Sequence, residues 1–153
     1  VEEDLMKIQV GIRRLYNPNF SDRKDVVLWD VLNVEDGQKI KINFIKNNTN
    51  YRQGIRIAVD VGKGELEIFG IKSREMELWE DTAPEEVICS CSAKSGKISI
   101  YNIWDDQGFS ESQCDSSGMI LEEKENKVIY HCNDYGFETN FEKFVFAIER
   151  LWK

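Results

Sequence analysis

The strongest constraint on this chain is an alternation of apolar and polar residues at period two that recurs along much of its length. In KIKINFIK, residues 39–46, Ile40, Ile42 and Phe44 fall on one side while Lys39, Lys41 and Asn43 fall on the other. Ile55, Ile57, Val59 and Val61 alternate in the same way with Arg56, Ala58 and Asp60. Successive strand side chains point to opposite faces, so this pattern suits strands with one buried face and one wet face. Ile8, Val10 and Ile12 predict an opening strand over residues 7–15. Between the alternating runs stand turn residues. Asp36-Gly37 predicts a tight turn pairing residues 26–34 with 39–46 as a hairpin. Gly62-Lys-Gly64 predicts a second hairpin from residues 54–61 and 65–69, and the charged turn 124–126 a third from 119–122 and 127–132.

Two segments read differently. Thr82-Ala-Pro-Glu85 has the form of a helix capping box with Pro in its first turn. The β-branched Val87 and Ile88 with Cys89 and Cys91 nevertheless favour a strand after it. At the C-terminus Phe141, Phe144, Val145, Ile148 and Leu151 share one helical face, and Thr139-x-x-Glu142 supplies a capping box. Arg150 and Lys153 suit the negative end of a helix dipole, whereas Phe146 falls off the apolar face. The expected fold is α+β and mainly β: a mostly antiparallel sheet or sandwich of about eight strands with a C-terminal helix, in a single domain spanning 1–153.

A net charge of −8 opposes nucleic acid or an anionic membrane as the main partner, since either would be approached against repulsion. Most of that charge lies late: residues 97–153 carry eleven acidic side chains against six basic ones. No apolar run approaches the roughly 18 residues that cross a bilayer. The opening VEEDLMKIQV lacks the basic-then-apolar order of a signal peptide, so a soluble cytoplasmic protein is expected. Cys89, Cys91, Cys114 and Cys132 are accordingly read as reduced thiols.

Chemistry finds little purchase. Nucleophilic catalysis of the Ser-His or Cys-His type needs an imidazole, and the one histidine, His131, adjoins Cys132 in a predicted strand, where neighbours face apart. Cys89, Cys91 and Cys114 with Cys132 or His131 lack the paired short spacings of a structural zinc site. Asp105-Asp106-Gln-Gly and Asp115 do not follow the ligand order of an EF-hand. The sequence therefore assigns no catalytic residue, metal or cofactor.

One stretch stands out by elimination. Residues 98–123, ISIYNIWDDQGFSESQCDSSGMILEE, contain no Lys or Arg. Aromatic and acidic side chains on a loop between strands favour protein contact, so Trp104, Asp105, Asp106, Phe109, Glu111 and Asp115 are the candidate partner-binding residues. The acids would steer a basic protein, with Phe109 and an exposed Trp104 as anchors. A small-ligand or carbohydrate-binding domain using Trp29, Trp79 or Trp104 as a stacking platform is the alternative.

The acidic loop WDDQGFSESQCDSS, the hairpin GMILEEKENKVIYHCND and the ending NFEKFVFAIERLW together resemble the immunity proteins that accompany bacterial polymorphic and contact-dependent-inhibition toxins. The resemblance is one of type. It implies a non-enzymatic inhibitor that neutralises a cognate toxin domain, often a basic nuclease, by masking its active or substrate-binding surface.

Overall fold

A computed structural model describes residues 11–136 and 138–151. Thirteen strands occur among them: β1 (Leu15–Tyr16), β2 (Val27–Asn33), β3 (Gln38–Asn47), β4 (Gln53–Ala58), β5 (Gly64–Ile68), β6 (Ile71–Ser73), β7 (Glu75–Trp79), β8 (Glu86–Ala93), β9 (Lys97–Asp106), β10 (Phe109–Glu111), β11 (Gly118–Glu123), β12 (Lys127–Asn133) and β13 (Phe144–Arg150). Of the opening strand expected over residues 7–15, residues 7–10 lie outside the described residues; Gly11 to Arg14 form a turn and no strand, and only Leu15 lies in β1.

The strands follow one antiparallel path, β6-β5-β8-β3-β13-β12-β11-β2-β9-β4-β7, with β1 added to β2 and β10 to β9. The two ends of this path, β6 and β7, are separated in the chain by Arg74 alone. The sheet therefore curls into a nearly closed barrel. Strand β2 makes the corner: Val27 pairs with Met119 of β11, while Asp30 to Asn33 pair with Ile100 to Lys97 of β9. A strand that changes partners along its length lets one sheet bend across another.

This architecture corrects the expected α+β fold. Among the described residues there is no helix, and hence none long and apolar enough to cross a membrane. The C-terminal segment read as a helix is β13, between β12 and β3 at the centre of the path. Phe144, Phe146 and Ile148 face the core, and Val145 and Ala147 are buried as well. A strand covered on both faces reads as a near-continuous apolar run, and such a run also satisfies a helical template. Asn140, not Thr139, organises its approach, its side chain accepting from the Glu142 amide. Thr82-Ala-Pro-Glu85 likewise starts no helix: the amides of Thr82 and Ala83 turn back to the Trp79 carbonyl, and the strand expected from Val87 onward follows.

Two of the three expected hairpins are turns without hairpins. Asp36-Gly37 does reverse the chain, with the Gln38 amide 2.9 Å from the Glu35 carbonyl. Its partners, however, belong to β8: the Gly37 amide donates to Cys91 O and Asp36 accepts from the Ala93 amide. β2 and β3 then diverge, β2 to β9 and β11, β3 to β8 and β13. β4 and β5 part in the same way, β4 joining β7 and β9 while β5 joins β6 and β8. The third hairpin forms as read, β11 pairing with β12 from Gly118↔Asn133 to Glu123↔Val128.

The departure of β5 towards β8 depends on Gly64. A Cβ there would stand 1.9 Å from the Ser92 carbonyl oxygen, on backbone that cannot yield cheaply. Gly37, at φ 86°, also has a positive φ but open space around it. Gly64→Ala is expected to destabilise by about 2–4 kcal/mol, against roughly 1 kcal/mol for Gly37→Ala, where only the backbone strain changes. Urea midpoints of the two variants measure the difference, and equal losses would contradict the close approach.

Inside the barrel Ile40, Ile42, Ile55, Ile57, Leu66, Val87, Ile98, Ile100, Phe144 and Phe146 form one cluster. Each such side chain contributes on the order of 1.5–3 kcal/mol by leaving water. Cys89 and Cys91 belong to it too, sharing the inner face of β8 as their i, i+2 spacing predicts. All four cysteines are free thiols. The Cys89 thiol is pushed up by its contact with Cys91 and by burial.

Candidate functional site

Towards one end the barrel interior changes from apolar to polar. Period-two alternation along β9 puts Asn102, Trp104 and Asp106 on the same side as the core residues Ile98 and Ile100. Gln53, across from Trp104 on β4, continues the row of Ile55 and Ile57. Asp134 continues that of Val128, Tyr130 and Cys132. Burying Asp134 completely is tolerable because both oxygens are occupied, one by Lys143 Nζ at 3.0 Å and one by Gln53 Nε2 at 2.9 Å.

Above this polar layer lies an open groove of about 490 Å³, with Trp104 and Tyr135 on its lining and Asp106, Glu111 and Asp115 around it. Two elements bring the acids together. The first is the β9–β10 hairpin, which turns through Gln107 and Gly108, both at positive φ, as a two-residue hairpin loop requires. Its register sets Glu111 opposite Trp104 and Phe109 opposite Asp106. The second is the segment 112–117, held from beneath by the buried Asn17. Its Nδ2 donates to the carbonyls of Asp115 at 3.1 Å and Ser117 at 2.9 Å. Asn133 Nδ2 holds the same segment through the Ser116 carbonyl.

The wall is aromatic. The Tyr135 ring packs 5.7 Å from Trp104 and 5.3 Å from Tyr51, and the two tyrosine hydroxyls meet at 3.2 Å. The Tyr135 phenol is pushed above its ordinary range by its hydrogen bond with Tyr51 and then by Asp106. Among the described residues none of Asp106, Glu111 and Asp115 forms an ion pair; the Asp115 carboxylate accepts from Asn19 Nδ2 at 3.3 Å. The result is a concave, negatively charged surface backed by aromatic rings, chemically suited to a cationic group.

The candidate residues divide accordingly. Asp106, Glu111 and Asp115 converge on the groove. Trp104 lines it too but is only 1% exposed, so the exposure on which its role as an anchor depends is absent. Asp105 turns away and accepts from the Gly108 amide at 3.0 Å, serving its own turn. Phe109 stands outside the groove at the hairpin tip, 71% exposed. Tyr51, Tyr135 and Asn17 were not picked out by sequence. Tyr135 stands in Asn133-Asp-Tyr-Gly136, whose turn-forming residues mark only a break between strands, and its packing on Trp104 brings it to the groove.

The other sequence candidates lie elsewhere. His131 sits between Glu122, at 2.6 Å, and Glu142, at 3.1 Å, while Cys132 is buried on the opposite face. Among the described residues no group of three or more His, Cys, Asp or Glu side chains is placed to hold a metal ion. Trp29 has Arg56 over its ring at 5.4 Å, and Trp79 has Arg52 at 4.5 Å, so each already carries a cation where a ligand would stack. Compared with known proteins, the chain matches no family model and no curated protein.

Proposed function

We propose that this protein is a non-enzymatic, protein-binding inhibitor of the immunity type, which neutralises a basic toxin domain by covering its active or substrate-binding surface. The observation that carries this reading is the convergence of Asp106, Glu111 and Asp115, unpaired with any described cation, on one open groove beside the exposed Phe109. Carboxylates in this state attract a basic surface over a distance, and an exposed aromatic at their margin supplies contact area. The net charge of −8 acts in the same direction.

The test is a binding titration against the product of the neighbouring gene, at several salt concentrations. The variant Asp106→Asn/Glu111→Gln/Asp115→Asn should weaken binding about tenfold to a hundredfold, mainly through a slower on-rate, and flatten the salt dependence. Phe109→Ala should act instead on the off-rate, by roughly 1–2 kcal/mol. Unchanged affinity and salt slope in the triple variant would remove this surface from the reading.

A further inference from the structure

We infer that His131 is a proton-operated latch. Its charged ring ties the connection entering β13 to the β11–β12 hairpin, and its neutral ring releases that connection. Each ring nitrogen faces a carboxylate from a different element. Nε2 lies 2.6 Å from Oε1 of Glu122 on β11, and Nδ1 lies 3.1 Å from Oε1 of Glu142 in the approach to β13. An ionised carboxylate only accepts, so both contacts are hydrogen bonds only while both nitrogens carry a proton. A neutral imidazole has a single N–H, serves one carboxylate and turns a lone pair to the other. The contact with Glu122 is the shorter, so the neutral ring keeps its proton on Nε2 and the tie to Glu142 is the one that breaks.

The surroundings let the latch open without disturbing the core. His131 lies on the outer face of β12 with its side chain 20% exposed, and both glutamates are about half exposed. Lys46 Nζ on β3 stands 3.4 Å from the other Glu142 oxygen, so a released carboxylate is drawn to the β3 side. The backbone there is already held on that side. The Glu142 carbonyl accepts from Asn48 Nδ2 at 3.1 Å, and the Lys143 carbonyl from the Asn48 amide at 2.7 Å. Directly across from the ring stand uncharged residues, Ile120 on β11 and Val145 on β13. The next outward charge along β12 is Lys127, level with Glu149 at the far end of the strand. Glu122, Glu142 and, through Glu142, Lys46 are therefore the charges that act on the ring. The same connection carries Tyr135 of the groove wall near its start, but the latch does not depend on what the groove binds.

Histidine is the side chain that ordinarily changes charge between about pH 5 and 8, and this chain has one, so a single ring reports. Across that range, ring-nitrogen NMR on the intact chain should show Nδ1, and not Nε2, losing its proton. The amides of Glu142 and Lys143 both bond to Asn140. With intrinsic exchange rates divided out, their hydrogen exchange should show an opening equilibrium about twofold to fivefold larger once the ring is neutral. His131→Gln, which leaves the core untouched, should abolish that dependence. Glu142→Gln should do the same, because an amide accepts from the charged ring and donates to the neutral one. Loss of the proton from Nε2 instead, exchange that ignores the charge on the ring, or an equal response in His131→Gln would each overturn the latch.

Discussion

Phe146→Ala is expected to remove about 3–5 kcal/mol of stability, the range for emptying a large side chain from a packed interior. Phe146 is fully buried in β13. It stacks nearly parallel on Tyr130, with ring centroids 4.6 Å apart, and meets Phe144 at 5.6 Å. The tightly stacked pair adds roughly 0.5–1.5 kcal/mol beyond the area it buries. The variant also separates two conformations of the C-terminus. In a helix led by Phe141, Phe144 and Ile148 this residue lies off the apolar face, and its truncation would cost little. In the barrel it is at the centre. A urea midpoint shift at unchanged slope measures the loss, with Ile45→Ala, at the exposed bulge opposite Val145/Phe146, as a control within about 0.5 kcal/mol. A loss under about 1 kcal/mol for Phe146→Ala would contradict the strand.

Asp30→Ala should cost a similar amount, about 3–5 kcal/mol, for a different reason. Asp30 is completely buried at the corner strand β2, where it accepts from Arg14 Nε at 2.7 Å and from the Tyr130 hydroxyl at 2.6 Å. Truncation leaves a guanidinium and a phenol without their partner, so the penalty comes from the groups that remain. Asp30→Asn, which keeps an acceptor, should be milder. The same cluster has a pH signature. Burial, followed by the charge of Asp30 and their hydrogen bond, pushes the Tyr130 phenol well above its ordinary 10.0. The folded state therefore holds a proton that the unfolded chain releases near pH 10. The stabilisation is complete below that pH and is lost as pH rises towards the folded value. Above pH 10 stability should fall less steeply in Tyr130→Phe than in the unaltered protein, by up to about 1.4 kcal/mol per pH unit. Parallel alkaline slopes would show that Tyr130 ionises freely.

Much of the local structure was legible in the sequence. Ile40, Ile42 and Phe44 of β3, Ile55 and Ile57 of β4, and Cys89 with Cys91 on β8 face the core as period two requires. Pairing was less legible. Asp36-Gly37 specifies that the chain reverses, but its hydrogen bonds go to Cys91 and Ala93, more than fifty residues away. Nothing in the turn itself encodes that choice. β13 matches a helical template because an apolar run buried on both faces has no single period. The acids of the groove could be found because charge is written in composition, and their shared orientation follows from Glu111 opposing Trp104. Tyr135 and Asn17 could not, since they reach the site through packing and through hydrogen bonds to a segment about a hundred residues away in the case of Asn17.

The alternation of the chain between β9-side and β8-side partners has a kinetic consequence. β2, β3, β4 and β5 follow one another in sequence, yet none pairs with the next. Apart from the short pairing of β1 with β2, the early strands acquire partners from later residues: β3 waits for β8 and β13, and β2 for β9 and β11. Local nuclei are confined to the short β5–β6 and β9–β10 hairpins and the late hairpin of β11 and β12. Such high contact order places refolding in the millisecond-to-second range of all-β barrels. During synthesis the path stays broken between β3 and β12 until β13, the last described strand, slots between them. Removing the final fifteen residues would therefore take the central stave out of the barrel, and the strands on either side would lose each other as well.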